Sequence, residues 1–159
     1  MRKQSAIDPR LSAFTTSPSE ILTVLSISPL DEDQLELLPI FGHSSWILFT
    51  ARNIRSALAL LEERDISVVL CERDLRPGKY TEVLEHLKAL PNSPSMIVAS
   101  RVADDRLWAE ALNLGAWDVL AKPLIRTETI RSIKSGWQHW HDQRARPAKT
   151  GRQQVEARG

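Results

Sequence analysis

Between Ile21 and Trp140, short apolar runs alternate with segments whose apolar residues recur every three or four positions. The runs are ILTVLSI (21–27), WILFTA (46–51), ISVVLC (66–71), SMIVAS (95–100) and WDVLA (117–121). They are nearly continuous in apolar character, which predicts strands buried on both faces. A helical pattern follows each run. Ser28 as N-cap, Pro29 as first helical residue and Asp31 at the third position open the first helix. Pro39 is expected to kink or end that helix, since it lacks an N–H and clashes one turn back. Asn53 caps the second helix, with Ile54, Ala57, Leu58 and Leu61 on one face. Thr81 opens the third, which buries Val83, Leu84, Leu87 and Leu90. The fourth buries Leu107, Ala111 and Leu114 and closes at Gly115. The fifth carries Ile130, Ile133, Trp137 and Trp140 on one stripe, with Gly136 inside it as a weakness.

Five strand–helix units joined by right-handed crossovers predict an α/β fold, a doubly wound five-stranded parallel sheet. The compact strand order 2-1-3-4-5 suits this length and places ligands at the carboxyl ends of the strands. The predicted domain covers residues 20–143. Residues 1–19, rich in Ser, Thr and Pro, read as a disordered lead-in. Residues 144–159 are polar and basic and contain Pro147 and Gly151; they read as a disordered tail.

Composition narrows the function classes. With 159 residues, the chain suits one domain. A net charge of +1 gives no global electrostatic case for nucleic acid or an anionic membrane. The single cysteine, Cys71, excludes an internal disulfide, falls in a predicted buried strand and points to a cytoplasmic setting. No run approaches the roughly 18 apolar residues of a membrane-spanning helix. His43, His86, His139 and His141 show no metal-ligand spacing, so no metal or other cofactor is expected. No Gly-rich phosphate loop or Ser–His–Asp pattern appears, and the chain is not expected to be an enzyme. Trp108 and Trp117 read as packing residues; Trp137 and Trp140 continue the core stripe of the last helix, with a partner surface as the alternative for Trp140 near the helix end.

The polar residues at the strand ends are Ser28 and Pro29, Glu72, Ser100, and Lys122 with Pro123. A carboxylate, a hydroxyl and an ammonium on three consecutive strands converge on one small volume, a set suited to a phosphoryl group. With the stretches VVLCERDLRPG, MIVAS and LNLGAWDVLAKPL, the chain from residue 21 to about 141 resembles the receiver domain of two-component response regulators, a flavodoxin-like fold. The resemblance implies phosphorelay signalling with a sensor histidine kinase. It implies a strand-three Asp that accepts phosphate with Mg²⁺ held by an acidic pair after strand one, and a Ser/Thr and a Lys on the phosphoryl group. It also implies an aromatic switch on strand five, and partner binding or self-association through the face made by helix four, strand five and helix five.

Residue by residue, Ser100 and Lys122 match the family's phosphoryl contacts. Glu72 falls on the phosphoacceptor position, with Asp74 as the alternative in a shifted register. Ser28 and Pro29 stand where the acidic pair would be, and Val119 stands at the switch position. Asp31, Glu32 and Asp33 lie too far into the helix to replace the pair. Glu72 extends the carboxylate by one methylene, about 1.5 Å, toward Lys122 and Ser100. The expectation is an atypical receiver in which Glu72 pairs with Lys122 and accepts a hydrogen bond from Ser100. Two alternatives stay open: phosphorylation on Asp74 or Glu72, and a nucleic-acid adaptor acting through the basic tail, for which the charge pattern gives little support.

Overall fold

The computed structural model describes residues 21–42 and 44–145. The lead-in at 1–19 and the tail from 146 onward lie outside them. Five strands, β1 (Thr23–Ile27), β2 (Ile47–Ala51), β3 (Val68–Glu72), β4 (Ser95–Ser100) and β5 (Asp118–Ala121), alternate with five helices. The helices are α1 (Asp31–Phe41), α2 (Ile54–Glu63), α3 (Tyr80–Lys88), α4 (Asp105–Asn113) and α5 (Arg126–Ala145). The strands form one parallel sheet in the order β2-β1-β3-β4-β5, the compact order expected for five strand–helix units.

Successive strand residues face opposite sides, so each central strand feeds two cores. Leu25, Ile27, Val69, Cys71, Met96 and Val98 pack beneath α2, α3 and α4. Val24, Val68, Leu70, Ile97 and Ala99 pack beneath α1 and α5. Every residue of β1, β3 and β4 is buried, whereas the edge strands β2 and β5 are partly open. Full burial on both faces therefore holds only for the three central strands.

Local signals place several boundaries. The Asn53 side chain accepts from Ser56 N–H at 2.9 Å, as a capping residue should. Asp104 does the same for Leu107 at 2.9 Å. Gly115 takes φ +110° just past the end of α4, a conformation that favours glycine.

Four expectations need correction. The first helix begins at Asp31, with Leu30 as its N-cap, two residues later than the Ser28–Pro29 signal suggests. Ser28 instead receives the Leu30 N–H on its hydroxyl at 3.1 Å, which ends the strand in an extended connection. Pro39 does not end α1, which runs on to Phe41. Only the last turn loses a hydrogen bond, and burial of Ile40 and Phe41 holds that turn in place. The last helix includes Arg144 and Ala145, because Arg144 is anchored to Asp65 at 3.0 Å and lies over the Trp140 ring.

The fourth correction concerns tryptophans. Trp108 and Trp117 are 39% and 37% exposed, so neither is a core residue, whereas Trp140 is 1% exposed, on the buried stripe of α5 as expected, and the alternative of a partner surface fails. Gly136, a weakness by propensity, allows close packing of α5 on the sheet. A Cβ there would stand 3.3 Å from Ser95 Cβ and from Trp117 Cδ1, and Ser95 Oγ donates to the Gly136 carbonyl at 2.7 Å. Among the described residues no helix is long and apolar enough to cross a membrane.

Candidate functional site

Parallel pairing brings the carboxyl ends of β1, β3, β4 and β5 to one edge of the sheet. Glu72 closes β3 opposite Ala99, and Ser100 pairs with Ala121, one residue before Lys122. Lys122 N–H donates to the Ser100 carbonyl at 3.0 Å, which aligns the lysine with the site. Its side chain turns inward and is almost fully buried.

There the Lys122 ammonium donates to two carboxylates, Glu72 through Oε1 and Asp33 through Oδ2. Asp33 is the residue that local sequence reasoning set aside. With α1 starting at Asp31, Asp33 is in the first helical turn and points back over β1. Ser28 Oγ donates to Asp33 Oδ2 at 2.5 Å. The other Glu72 oxygen accepts the Asp74 N–H at 2.9 Å. Two buried carboxylates therefore share one ammonium, and a hydroxyl and a backbone N–H partner the same pair. Removing one member of such a set leaves an unpaired buried charge, which costs about 3–5 kcal/mol.

Asp74 itself does not enter the site. Its side chain is exposed and pairs with Arg73 at 3.0 Å. It bridges to Lys79 across the turn closed by Leu75 N–H and the Gly78 carbonyl at 3.0 Å. Gly78 takes φ +95°, and a Cβ there would come within 2.8 Å of Ile54 Cδ1 and of a Glu82 carboxylate oxygen. Ser100 is buried in the site, but its hydroxyl accepts the Val102 N–H at 3.0 Å; the expected bond to Glu72 is not formed. Val119 is buried in the core between β5 and the α2–α4 layer. Pro29 contributes only its carbonyl, to Arg52 at 3.2 Å.

Asp31 and Glu32 face outward, onto Arg52 and onto Arg101 at 2.6 Å. Cys71 lies one residue before Glu72, and burial, reinforced by the Glu72 charge, pushes its thiol well up, with Lys122 opposing. It is no nucleophile at neutral pH.

The free space among Ser28, Asp33, Glu72, Ala99 and Lys122 is about 10 Å³, roughly the least that holds one water. Mg²⁺ needs an octahedron of oxygens and keeps several waters. This donor set does not fit it: the two carboxylates already share one internal ammonium in that space, and Ser28 and Pro29 add no charge. Among the described residues no cluster of three or more His, Cys, Asp or Glu is arranged to hold a metal ion.

A sequence profile of the response regulator receiver domain matches residues 35–134, more than half of the chain. The chain belongs to the response regulator receiver family. The signal receiver domain of an HD domain-containing protein from Pseudomonas fluorescens Pf-5 superposes with a TM-score of 0.75 at 22% identity, covering 84% of this chain and 97% of that one. A CheY-like response regulator receiver domain protein from Methanospirillum hungatei JF-1 gives 0.69 at 19% identity, over 78% of this receiver and 99% of that chain. The beryllofluoride-activated NtrC4 receiver domain dimer gives 0.69 at 19% identity, over 74% and 98%. At these identities the likeness concerns the fold.

A curated relative, the protein-glutamate methylesterase/protein-glutamine glutaminase of Desulfotalea psychrophila (strain LSv54 / DSM 12343), is 29% identical over 83 residues. The match covers 51% of this receiver and 23% of the relative, so this chain spans under a quarter of that protein's length.

Proposed function

We propose that this receiver is an atypical signalling domain of a two-component or phosphorelay system, acting by protein–protein contact without Mg²⁺-dependent aspartyl phosphorylation and without enzymatic activity. One observation carries the reading: the Lys122 ammonium, the partner a phosphoryl group would need, is shared by the Glu72 and Asp33 carboxylates in a space of about 10 Å³. Phosphoryl transfer depends on positioning and on neutralising the charge of the equatorial oxygens. Here the neutralising cation is already spent on two fixed anions. Glu72 holds the acceptor position in this reading, and its extra methylene brings the carboxylate to Lys122. With Val119 in place of an aromatic switch, the site holds one conformation constitutively.

The output surface in this reading is the face of α4, β5 and α5. Trp108 and Leu112, one turn apart on α4, are 39% and 41% exposed. On α5, an open, mostly apolar surface surrounds Ile130, edged by Arg131 and Lys134. Exposed aromatic and aliphatic side chains beside cations suit a protein partner, a second copy or a sensor kinase, better than a small ligand. The setting proposed is cytoplasmic, with Cys71 kept as a buried free thiol.

The test is exposure to acetyl phosphate, or to beryllofluoride, with Mg²⁺, read by tryptophan fluorescence and NMR. The expected outcome is an unchanged spectrum. A saturable response that requires Mg²⁺ overturns the reading.

A further inference from the structure

At the opposite end of the sheet from Lys122, where β4 and β5 begin, lies a cleft of about 390 Å³. That volume falls within the roughly 300–1,000 Å³ of small-ligand sites. The α3–β4 connection forms one wall and the last turns of α5 the other.

The aromatic lining is fixed in place. Trp117 and His139 stack with ring centroids 4.5 Å apart and planes 20° apart. The Trp117 indole N–H donates to Ser135 Oγ at 2.8 Å, and its edge rests against Gly136. A flat surface held this way loses little freedom when a ligand stacks on it. Trp140 lines the same cleft and is 1% exposed, yet its indole N–H has no hydrogen-bond partner among the described residues. Buried donors nearly always have an acceptor, and an orphan calls for one.

Much of the polar rim is uncharged. Asn92, Ser93 and Gln143 supply two carboxamides and a hydroxyl. Arg144 also borders the cleft, but its guanidinium is engaged by both Asp65 oxygens, at 3.0 and 3.2 Å, and lies 4.6 Å from the Trp140 ring centre. With Arg144 already paired, the uncharged hydrogen-bonding groups of the rim are the two carboxamides and the hydroxyl. Carboxamides pair with the mixed donor–acceptor edge of a nucleobase, and bases stack on aromatic side chains.

We propose that this cleft binds a nucleobase-type heteroaromatic, uncharged and planar, stacked at the Trp117–His139 pair with its polar edge toward Asn92 and Gln143. Such a ligand binds about one sheet length away from Lys122, so the cleft stands independently of the state of that site.

The experiment titrates the full chain with adenosine and guanosine, read by tryptophan fluorescence and by the indole resonances in NMR. Saturable binding with Kd below about 1 mM is expected, with shifts at the Trp117 and Trp140 indoles. Trp117→Ala should weaken binding about tenfold, which corresponds to about 1.4 kcal/mol. The exposed-rim substitutions Asn92→Ala and Gln143→Ala, which leave packing intact, should also weaken it, and Trp108→Ala should not. Tighter binding of benzoate than of either nucleoside would overturn the assignment of ligand class. No saturable binding of either nucleoside at about 5 mM, or equal affinity in the Asn92→Ala and Gln143→Ala variants, would overturn the site.

Discussion

Asp33 and Lys122, 89 positions apart in the chain, meet in a buried ion pair. The same ammonium binds Glu72, so α1, β3 and the end of β5 are joined through one side chain. This arrangement makes Lys122 the electrostatic centre of the domain.

Replacing that lysine should be costly. Lys122→Met strands two buried carboxylates, and a loss of about 3–5 kcal/mol is expected in urea unfolding at neutral pH. The triple variant Lys122→Met, Glu72→Gln, Asp33→Asn should recover most of that loss, because no uncompensated charge remains. Equal destabilisation of the single and triple variants would contradict the shared pair.

The start of α1 at Asp31 separates three acidic neighbours into different roles. Asp33→Asn removes one of the two carboxylates on a buried ammonium and should destabilise by about 2 kcal/mol or more. Asp31→Asn and Glu32→Gln disturb exposed pairs only, each worth about 1 kcal/mol or less. Chemical denaturation of the three variants in parallel checks the register of the helix.

Gly136 tests propensity against packing. Alanine would favour the helix by about 1 kcal/mol on propensity. The added Cβ meets Ser95 and Trp117 at 3.3 Å, and crowding of this kind costs about 1–3 kcal/mol. Gly136→Ala should therefore lower the thermal midpoint, with a changed Trp117 indole resonance.

Alkaline pH should unfold the domain by an identifiable route. Burial, then the hydrogen bond to Glu110, holds the Tyr80 phenol above its ordinary 10.0, and burial holds the Cys71 thiol above its ordinary 9.0. In both cases the folded state keeps a proton that the unfolded chain releases. Their contribution is complete below about pH 9 and is lost as pH rises beyond the ordinary values. Urea midpoints measured from pH 8 to about 11 should fall along that range. Tyr80→Phe should flatten the upper part of the fall, above the phenol's ordinary 10.0.

The α4 surface should be separable from stability. Trp108→Glu and Leu112→Glu alter exposed positions, so unfolding midpoints should move by no more than about 0.5 kcal/mol. Self-association by sedimentation, or capture of a histidine kinase, should be lost in both variants. Retention of binding would move the output surface elsewhere.

Much of this architecture is legible in the chain alone. Apolar runs of five to seven residues, spaced by helical patterns, lead to five parallel strands. Asn53 and Gly115 mark helix ends through chemistry that depends only on near neighbours. Parallel strands also carry Glu72, Ser100 and Lys122 to a common edge whatever the details of packing. The role of Asp33 was hidden, because Ser28–Pro29 is satisfied equally well as a helix start or as an extended connection. A shift of two residues in that start turns Asp33 into the site, and the decision rests on a lysine at the far end of the domain. The tryptophans were hidden for a related reason. Helical spacing shows which residues share a stripe, but how far α4 and α5 cover the sheet is a matter of contacts between distant segments. Those contacts leave Trp108 in solvent and enclose Trp140. Local rules determine the elements because they act over one or two turns; charge pairing and burial act across the whole fold and belong to the assembled structure.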